Sequence, residues 1–369
     1  MSAPMRRGAC PSLAAPMPTG DGWLARLAVA ELTATQLAGL AAAADRLGNG
    51  LVEVTARGSL QLRGLTPNSA AVLGDALAGL GVEVAAGLPV LTGALAGLDL
   101  DEIADPRPLA AALRQAAEGL VLLPKVSVVV DGGGTLHLDA VPADVRLVAI
   151  DPTGRWRVMV ADAGIGTHDA AGAVAAARSV LESLAARRVR ARDLAMAGER
   201  QPPRPAAEPV GRFGPARGLG LPFGQADAAM LAGLAVAAGD ARYRTAAGRA
   251  LLVVGSADDA ALVAAARRLG FVLEPDDPRR AVVACSGAPA CEAGLLPTRA
   301  LAGAVAGAGL AGPGWRLHLS GCSKRCAQPV GAAVTMLGTP DGWALTGDGM
   351  AVPPGLRSRI EAIAGRAGS

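Results

Sequence analysis

Ala284-Cys285-Ser286-Gly287-Ala288-Pro289-Ala290-Cys291-Glu292 and His318-Leu319-Ser320-Gly321-Cys322-Ser323-Lys324-Arg325-Cys326-Ala327-Gln328-Pro329 decide the reading of this chain. Together they hold four of its five cysteines, as one pair with five intervening residues and one with three. Four thiolates delivered by two short loops suit an iron–sulfur cluster, whose irons take soft, charge-delocalising ligands. Structural zinc is the competing reading, but zinc pairs usually stand two to four residues apart in knuckle turns. The first pair is wider, and its Gly-Ala-Pro-Ala interior reads as a loop wrapping something larger than a single ion. Disulfides would need an oxidising compartment, and the first residues lack the apolar core of an export signal.

The 369 residues suffice for two or more domains, each with its own core. Half are apolar but only 2% are aromatic, so the cores must be packed with alanine, leucine and valine. Arginine replaces lysine almost everywhere: the only lysines are Lys125 and Lys324, each inside a segment of interest. A formal net charge of +3, with no basic tract interleaved with aromatics, argues against nucleic acid as a partner. The apolar stretch Val84 to Leu98 is too short and too rich in glycine to cross a bilayer. The expected setting is cytoplasmic, with no membrane partner.

The pattern of apolar residues reads as one unit written twice, in an α+β fold class. In the first copy, Gly22 to Ala28, Leu51 to Thr55, Leu60 to Leu65 and Val82 to Ala85 read as strands, and Leu32 to Leu47 and Ser69 to Leu80 as helices. The second copy begins near Gly218, with helices Ala228 to Ala238 and Asp258 to Leu269 and strands Ala250 to Gly255 and Phe271 to Leu273. Each copy is followed by an α/β unit. Val126 to Ala161 carries the run Asp131-Gly132-Gly133-Gly134 where Trp315 to Thr346 carries Ser320-Gly321-Cys322. The expected division is 1–88, a first half-domain; 89–198, an α/β unit without cysteines; 199–217, a linker rich in proline and arginine; 218–276, a second half-domain; and 277–369, the cysteine-bearing α/β unit.

The cysteine loops resemble those of the sulfite and nitrite reductase superfamily, in which such pairs hold a 4Fe-4S cluster. Arg7-Gly8-Ala9-Cys10-Pro11-Ser12, Met17-Pro18-Thr19-Gly20-Asp21-Gly22, and Leu123-Pro124-Lys125 running into Val130-Asp131-Gly132-Gly133-Gly134 are similar to an oxygenase branch of it. That branch hydroxylates the tetrapyrrole precorrin-3A in the oxygen-dependent cobalamin pathway, and the likeness covers nearly the whole chain. The resemblance implies two pseudo-twofold-related, ferredoxin-like half-domains, each with its reductase-type α/β unit. It implies a 4Fe-4S cluster on Cys285, Cys291, Cys322 and Cys326, and a mononuclear non-haem iron besides. The implied reaction is monooxygenation of precorrin-3A at C20 with closure of the ring-A γ-lactone. Its implied partners are precorrin-3A, dioxygen and an external electron-donating reductase. The tetrapyrrole would then be a substrate where the reductases keep sirohaem as a cofactor.

Candidate substrate residues follow from the same resemblance. In Thr55-Ala56-Arg57-Gly58-Ser59-Leu60-Gln61-Leu62-Arg63, the alternating residues Arg57, Ser59, Gln61 and Arg63 are expected on one face of an extended chain. Arg57 falls at the position of an anion-binding arginine of the reductases, and a guanidinium suits the carboxylate arms of a tetrapyrrole. Lys125 matches one member of a Lys-x-Lys pair that supplies protons in the reductases; the other position is Ser127. Lys324 lies between two cysteines, and Arg249 in Arg242 to Leu252 is the candidate from the second copy. His137 and Asp139 read as neighbours on one face of a strand, a possible histidine–carboxylate pair. His318 reads as a residue supporting the cluster loop, and Cys10 as a structural thiol. Two other functions fit the same residues: a sirohaem-dependent sulfite or nitrite reductase, and a non-catalytic iron–sulfur electron carrier or tetrapyrrole-binding protein.

Overall fold

The computed structural model describes residues 10–367 apart from 195–197, 201–202 and 312–313. Arg7, Gly8 and Ala9 lie outside the described residues. Four sheets organise the molecule. An antiparallel sheet has the strand order Met17–Thr19, Gly22–Leu27, Leu60–Leu65, Leu51–Val54, Gln225–Asp227. A second antiparallel sheet has the order Gly211–Phe213, Ala216–Gly220, Ala250–Val254, Arg242–Ala246, Leu32–Thr33. Each of these two sheets therefore takes its last edge strand from the other half of the chain.

The two remaining sheets share a plan. In one, Val90–Thr92, Val128–Asp131 and Val145–Asp151 run parallel, followed by antiparallel Arg155–Val160 and Ala163–His168. In the other, Val282–Ala284, Arg316–Ser320 and Ala333–Thr339 run parallel, followed by antiparallel Gly342–Asp348. Helices Pro106–Ala116 and Ala170–Arg187 cover the former; Thr298–Gly307 and Leu356–Ala367 pack with the latter. Parallel strands need covered faces, and the sequence supplies runs such as Val128-Val129-Val130 that are buried on both sides.

Local chemistry explains where elements start. The helix expected from Leu32 begins at Ala34, because Thr33 and Gln36 form a reciprocal capping box: Thr33 Oγ1 accepts from the Gln36 N–H at 3.1 Å and Gln36 Oε1 from the Thr33 N–H at 2.9 Å. Leu32 and Thr33 are thereby left extended and pair with Arg242 and Tyr243. Val82 to Ala85 forms no strand; its apolar residues close the preceding helix, with the Val82 N–H donating to the Leu77 carbonyl. Phe271 to Leu273 makes only a single bridge, from Val272 to Gly220. Residues 211–213 and 216–217, within the stretch expected as linker, are strand.

The expected half-domains 1–88 and 218–276 share one core. Leu40, Leu62, Leu73 and Leu77 from the first pack in the same buried cluster as Leu234, Tyr243, Val253 and Phe271 from the second. The two hairpin turns that end their central strands touch: the Gly248 N–H donates to the Ala56 carbonyl at 2.9 Å.

Candidate active site

The two cysteine loops meet because the strands before them are parallel neighbours. Cys285 follows Val282–Ala284 and Cys322 follows Arg316–Ser320 by two residues, with Ala284 opposite Leu319. Parallel strands deliver their loops to the same edge of a sheet, a usual place for a ligand. The Gly321 N–H donates to Cys285 Sγ at 3.2 Å, and the Leu295 N–H to the Gly321 carbonyl at 2.7 Å, so each loop holds the other. The Cys291 N–H donates to the Gly287 carbonyl and the Gly294 N–H to the Cys291 carbonyl, both at 2.8 Å, giving a tight turn.

All four thiols are free and within electrostatic reach of one another. Burial pushes the Cys291 thiol up, and Asp21, Cys322 and Cys285 add to the rise. Partial desolvation also raises Cys326, although its surface is exposed, against the pull of Arg63 and with the other three cysteines adding. Bound positive metal would favour the thiolate form of Cys291 and Cys326 against these effects. Among the described residues, no three of these sulfurs lie within 4.8 Å of one another. A tetrahedral zinc with 2.3 Å bonds would draw them to about 3.8 Å. Four cysteine sulfurs from two loops are a donor set that iron–sulfur centres take.

The first half of the chain supports these loops through Met17 to Gly22. A Cβ on Gly20 would lie 2.4 Å from Cys291 Sγ, so only glycine fits against that sulfur. Asp21 Oδ2 accepts from Ser286 Oγ at 2.6 Å and from Arg63 Nε at 2.6 Å, while Oδ1 accepts from Arg63 Nη2 at 2.7 Å. Burial works to raise the Asp21 carboxyl, but Arg63, Ser286 and Thr19 hold it below its ordinary value. Arg63 also donates to Glu53 Oε2 at 3.1 Å. Its fork is thus filled by protein carboxylates, and the residue expected to face substrate instead ties the first sheet to the cysteine loop.

Gln61 departs from expectation in the same way. It is buried, its amide nitrogen faces Glu53 Oε2 at 3.1 Å, and its oxygen accepts from Arg26 Nη2 and Nε at 2.7 and 3.0 Å. Gln61 orients Arg26, a residue that the alternation did not single out. Its only sequence signal is the register that sets Arg26 opposite Gln61, which appears once the strands are paired.

Arg57 lies in the hairpin turn after Leu51–Val54 rather than on a strand. Its Nη2 donates to Ser127 Oγ at 2.9 Å and its Nη1 to the Pro142 carbonyl at 2.6 Å. Ser127, where the reductases would have their second lysine, is buried and engaged by Arg57. Burial and the positive charges of Arg26 and Arg190 lower the Arg57 guanidinium, with Asp144 and Cys10 opposing. Arg249 occupies the touching hairpin turn of the other half, with φ at +65°. Burial, then Arg316 and Arg280, pull it down to about 10. Its side chain packs over Gly224, where a Cβ would come within 2.7 Å of Arg249 Cδ. Neither Arg57 nor Arg249 has a salt-bridge partner among the described residues, whereas Arg280 pairs with Glu208 and Arg244 with Glu31.

Comparison with known proteins places this geometry. The family model for the nitrite/sulfite reductase ferredoxin-like half domain matches residues 15–80. A precorrin-3B synthase from Sinorhizobium sp is 39% identical over 387 aligned positions, covering 95% of this chain and 84% of that one. The chain belongs to the precorrin-3B synthase family. The solved structure of the Mycobacterium tuberculosis NirA protein superposes with a TM-score of 0.62 at 19% identity, covering 88% of this chain and 73% of that one. At that identity the likeness is one of fold, a mixed α+β architecture.

In this family member the two lysines are both exposed. Lys125 sits in a turn with φ at +73°, two residues from Ser127, and Lys324 lies in the loop between Cys322 and Cys326. His137 and Asp139 stand in a loop after Val128–Asp131, not on a strand, because the glycine run turns the chain there. His318 is fully buried on its strand, and burial pushes it down to about 4. Its Nδ1 lies 3.2 Å from Thr335 Oγ1, which donates to Asp348 Oδ2 at 2.7 Å; Arg325 of the cysteine loop pairs with Asp348 at 2.9 Å. His318 therefore meets the cysteine segment through Gln328, which Thr335 Oγ1 also contacts at 3.4 Å, as well as through the Thr335–Asp348–Arg325 chain. Cys10 is half-buried near Arg57.

Proposed function

We propose that this chain converts precorrin-3A to precorrin-3B, hydroxylating C20 and closing the ring-A γ-lactone in oxygen-dependent cobalamin synthesis. The reaction takes one atom of dioxygen into the product. The other leaves as water, with two electrons from an external reductase and two protons. Family membership, at 39% identity over 95% of the chain, is the observation that carries this reading. We read the two halves as pseudo-twofold copies of a ferredoxin-like half-domain with its α/β unit, working in the cytoplasm. Cys285, Cys291, Cys322 and Cys326 would hold a 4Fe-4S cluster, which supplies one-electron transfer to the site.

The rest of the mechanism lies with charged side chains. Arg57 and Arg249 are desolvated without a carboxylate of their own, so an incoming carboxylate meets donors already stripped of water and aimed by two touching turns. Arg26, held by Gln61, which Glu53 anchors in turn, adds charge beside Arg57. Lys125 and Lys324, both exposed, would meet further carboxylate arms or deliver protons. Gln61 and Arg63 act as positioning residues. Fixing a tetrapyrrole by several acetate and propionate groups places one meso carbon against the reacting oxygen.

Protein purified without oxygen, then given precorrin-3A, a reductant and air, is expected to consume dioxygen only when precorrin-3A is present. It is expected to carry no sirohaem and to turn over neither sulfite nor nitrite. Stoichiometric sirohaem with sulfite turnover would make the chain a reductase instead.

A further inference from the structure

A second set of metal-ligating side chains stands apart from the cysteines, in the loop that follows Val128–Asp131. One donor atom each from Asp131, His137 and Asp139 lies within 4.8 Å of the other two, and no other such set gathers among the described residues. Asp131 is 2% exposed, and the His137 and Asp139 side chains 12% and 18%. His137 Nδ1 is shut off from solvent and has no hydrogen-bond partner. It lies 3.8 Å from Asp139 Oδ1, beyond hydrogen-bond reach. An imidazole nitrogen held dry and unpartnered beside two carboxylates is poorly placed as a core residue and well placed as a ligand.

Topology points the same way. Asp131 ends the middle strand of three parallel strands, as Ser320 ends the middle strand of the corresponding three in the other α/β unit. The loop bearing His137 and Asp139 is thus the counterpart of the loop bearing Cys322 and Cys326. One unit offers thiolates at that place, the other an imidazole and two carboxylates.

We propose that Asp131, His137 and Asp139 bind one divalent transition-metal ion of the Fe2+ or Mn2+ class, with Arg204 as the cation it displaces. Nitrogen and carboxylate donors on one side of a site, with positions left open, favour such ions over softer ones. Arg204 now neutralises the set: its Nε donates to Asp139 Oδ2 at 2.7 Å and its Nη2 to Oδ1 at 3.2 Å, and Nη2 is 3.9 Å from Asp131 Oδ2. Its side chain is 45% exposed, and an exposed ion pair opens at little cost. Arg146, by contrast, stays: it is buried and binds the carbonyls of Leu138 and Val141, which shapes the loop. The same loop reaches the arginine turns, since the Pro142 carbonyl accepts from Arg57 and Ala247 packs against Leu138 and Val141. The inference deepens the oxygenase reading, because an ion here with open positions would supply dioxygen binding beside the substrate.

The test uses the full-length protein with its cysteine-held centre and Mn2+ as probe, following loss of the free-ion electron paramagnetic resonance signal. One equivalent is expected to bind. His137→Ala and Asp139→Asn should weaken binding on the order of 100-fold. Arg204→Gln should tighten it roughly threefold or more, a gain that misfolding cannot imitate. Visible absorption from the cysteine-held centre should be the same in all variants. Absence of binding in both the wild type and Arg204→Gln overturns the proposal, as does undiminished binding in His137→Ala. Correct Mn2+ behaviour without precorrin-3A-dependent oxygen uptake would leave the metal site standing and remove the oxygenase reading alone.

Discussion

Arg57 and Arg249 carry charge in places where burial and neighbouring arginines disfavour it. A guanidinium keeps its proton, so the folded protein bears that cost until an anion arrives. For Arg249 the sign is clear: its folded value, about 10, lies below the ordinary one, so its charge opposes folding throughout the neutral range. Arg249→Met is therefore expected to raise the stability of the substrate-free protein by about 1 kcal/mol while weakening precorrin-3A binding. Arg57→Ala should weaken binding by about 1.5–3 kcal/mol, the loss of a charge-assisted hydrogen bond. Denaturant midpoints and binding titrations check both. A destabilised Arg249→Met with unaltered binding would assign that arginine to the scaffold. Arg63 is the contrasting case. Asp21 and Glu53 take three of its N–H donors and balance its charge, so it serves the scaffold before any substrate.

Among the elements, the cysteine loops depend on a segment more than 250 residues earlier. Gly20 lies against Cys291 Sγ, and Asp21 holds Ser286. Gly20→Ala should consequently lower iron and sulfide content, and Cys322→Ser should abolish the brown chromophore, while Cys10→Ser keeps it; iron analysis and visible spectra decide. The cysteine spacing made the thiolate set legible, because those ligands come from contiguous words. The support from Asp21 was not, since it arises from packing between distant segments. The same distinction explains the substrate residues. Alternation over Arg57 to Arg63 presumed one extended strand, but Gly58, at φ +77°, turns the chain, so Arg57 and Gln61 belong to different local structures. His137 and Asp139 were legible as a pair of neighbours; Asp131 joined them only once the glycine run had folded the loop back.

On the scale of the whole molecule, the repeat was visible in the sequence as order of elements, but not as reciprocal exchange. Leu32–Thr33 and Gln225–Asp227 are too short to read as strands, and each gains its partner only across the halves. That exchange and the common core of Leu62, Leu73, Tyr243 and Phe271 hold the two arginine-bearing turns against each other. No helix among the described residues is long and apolar enough to cross a membrane. The fold is one that NirA shares, so fold alone does not separate the proposed oxygenase from a reductase. Incubation of the reduced protein with precorrin-3A under ¹⁸O₂, followed by mass spectrometry of the product, tests the oxygenase reading most directly. One ¹⁸O atom in the C20 hydroxyl of precorrin-3B is the expected result; precorrin-3B whose C20 hydroxyl lacks the label would contradict it.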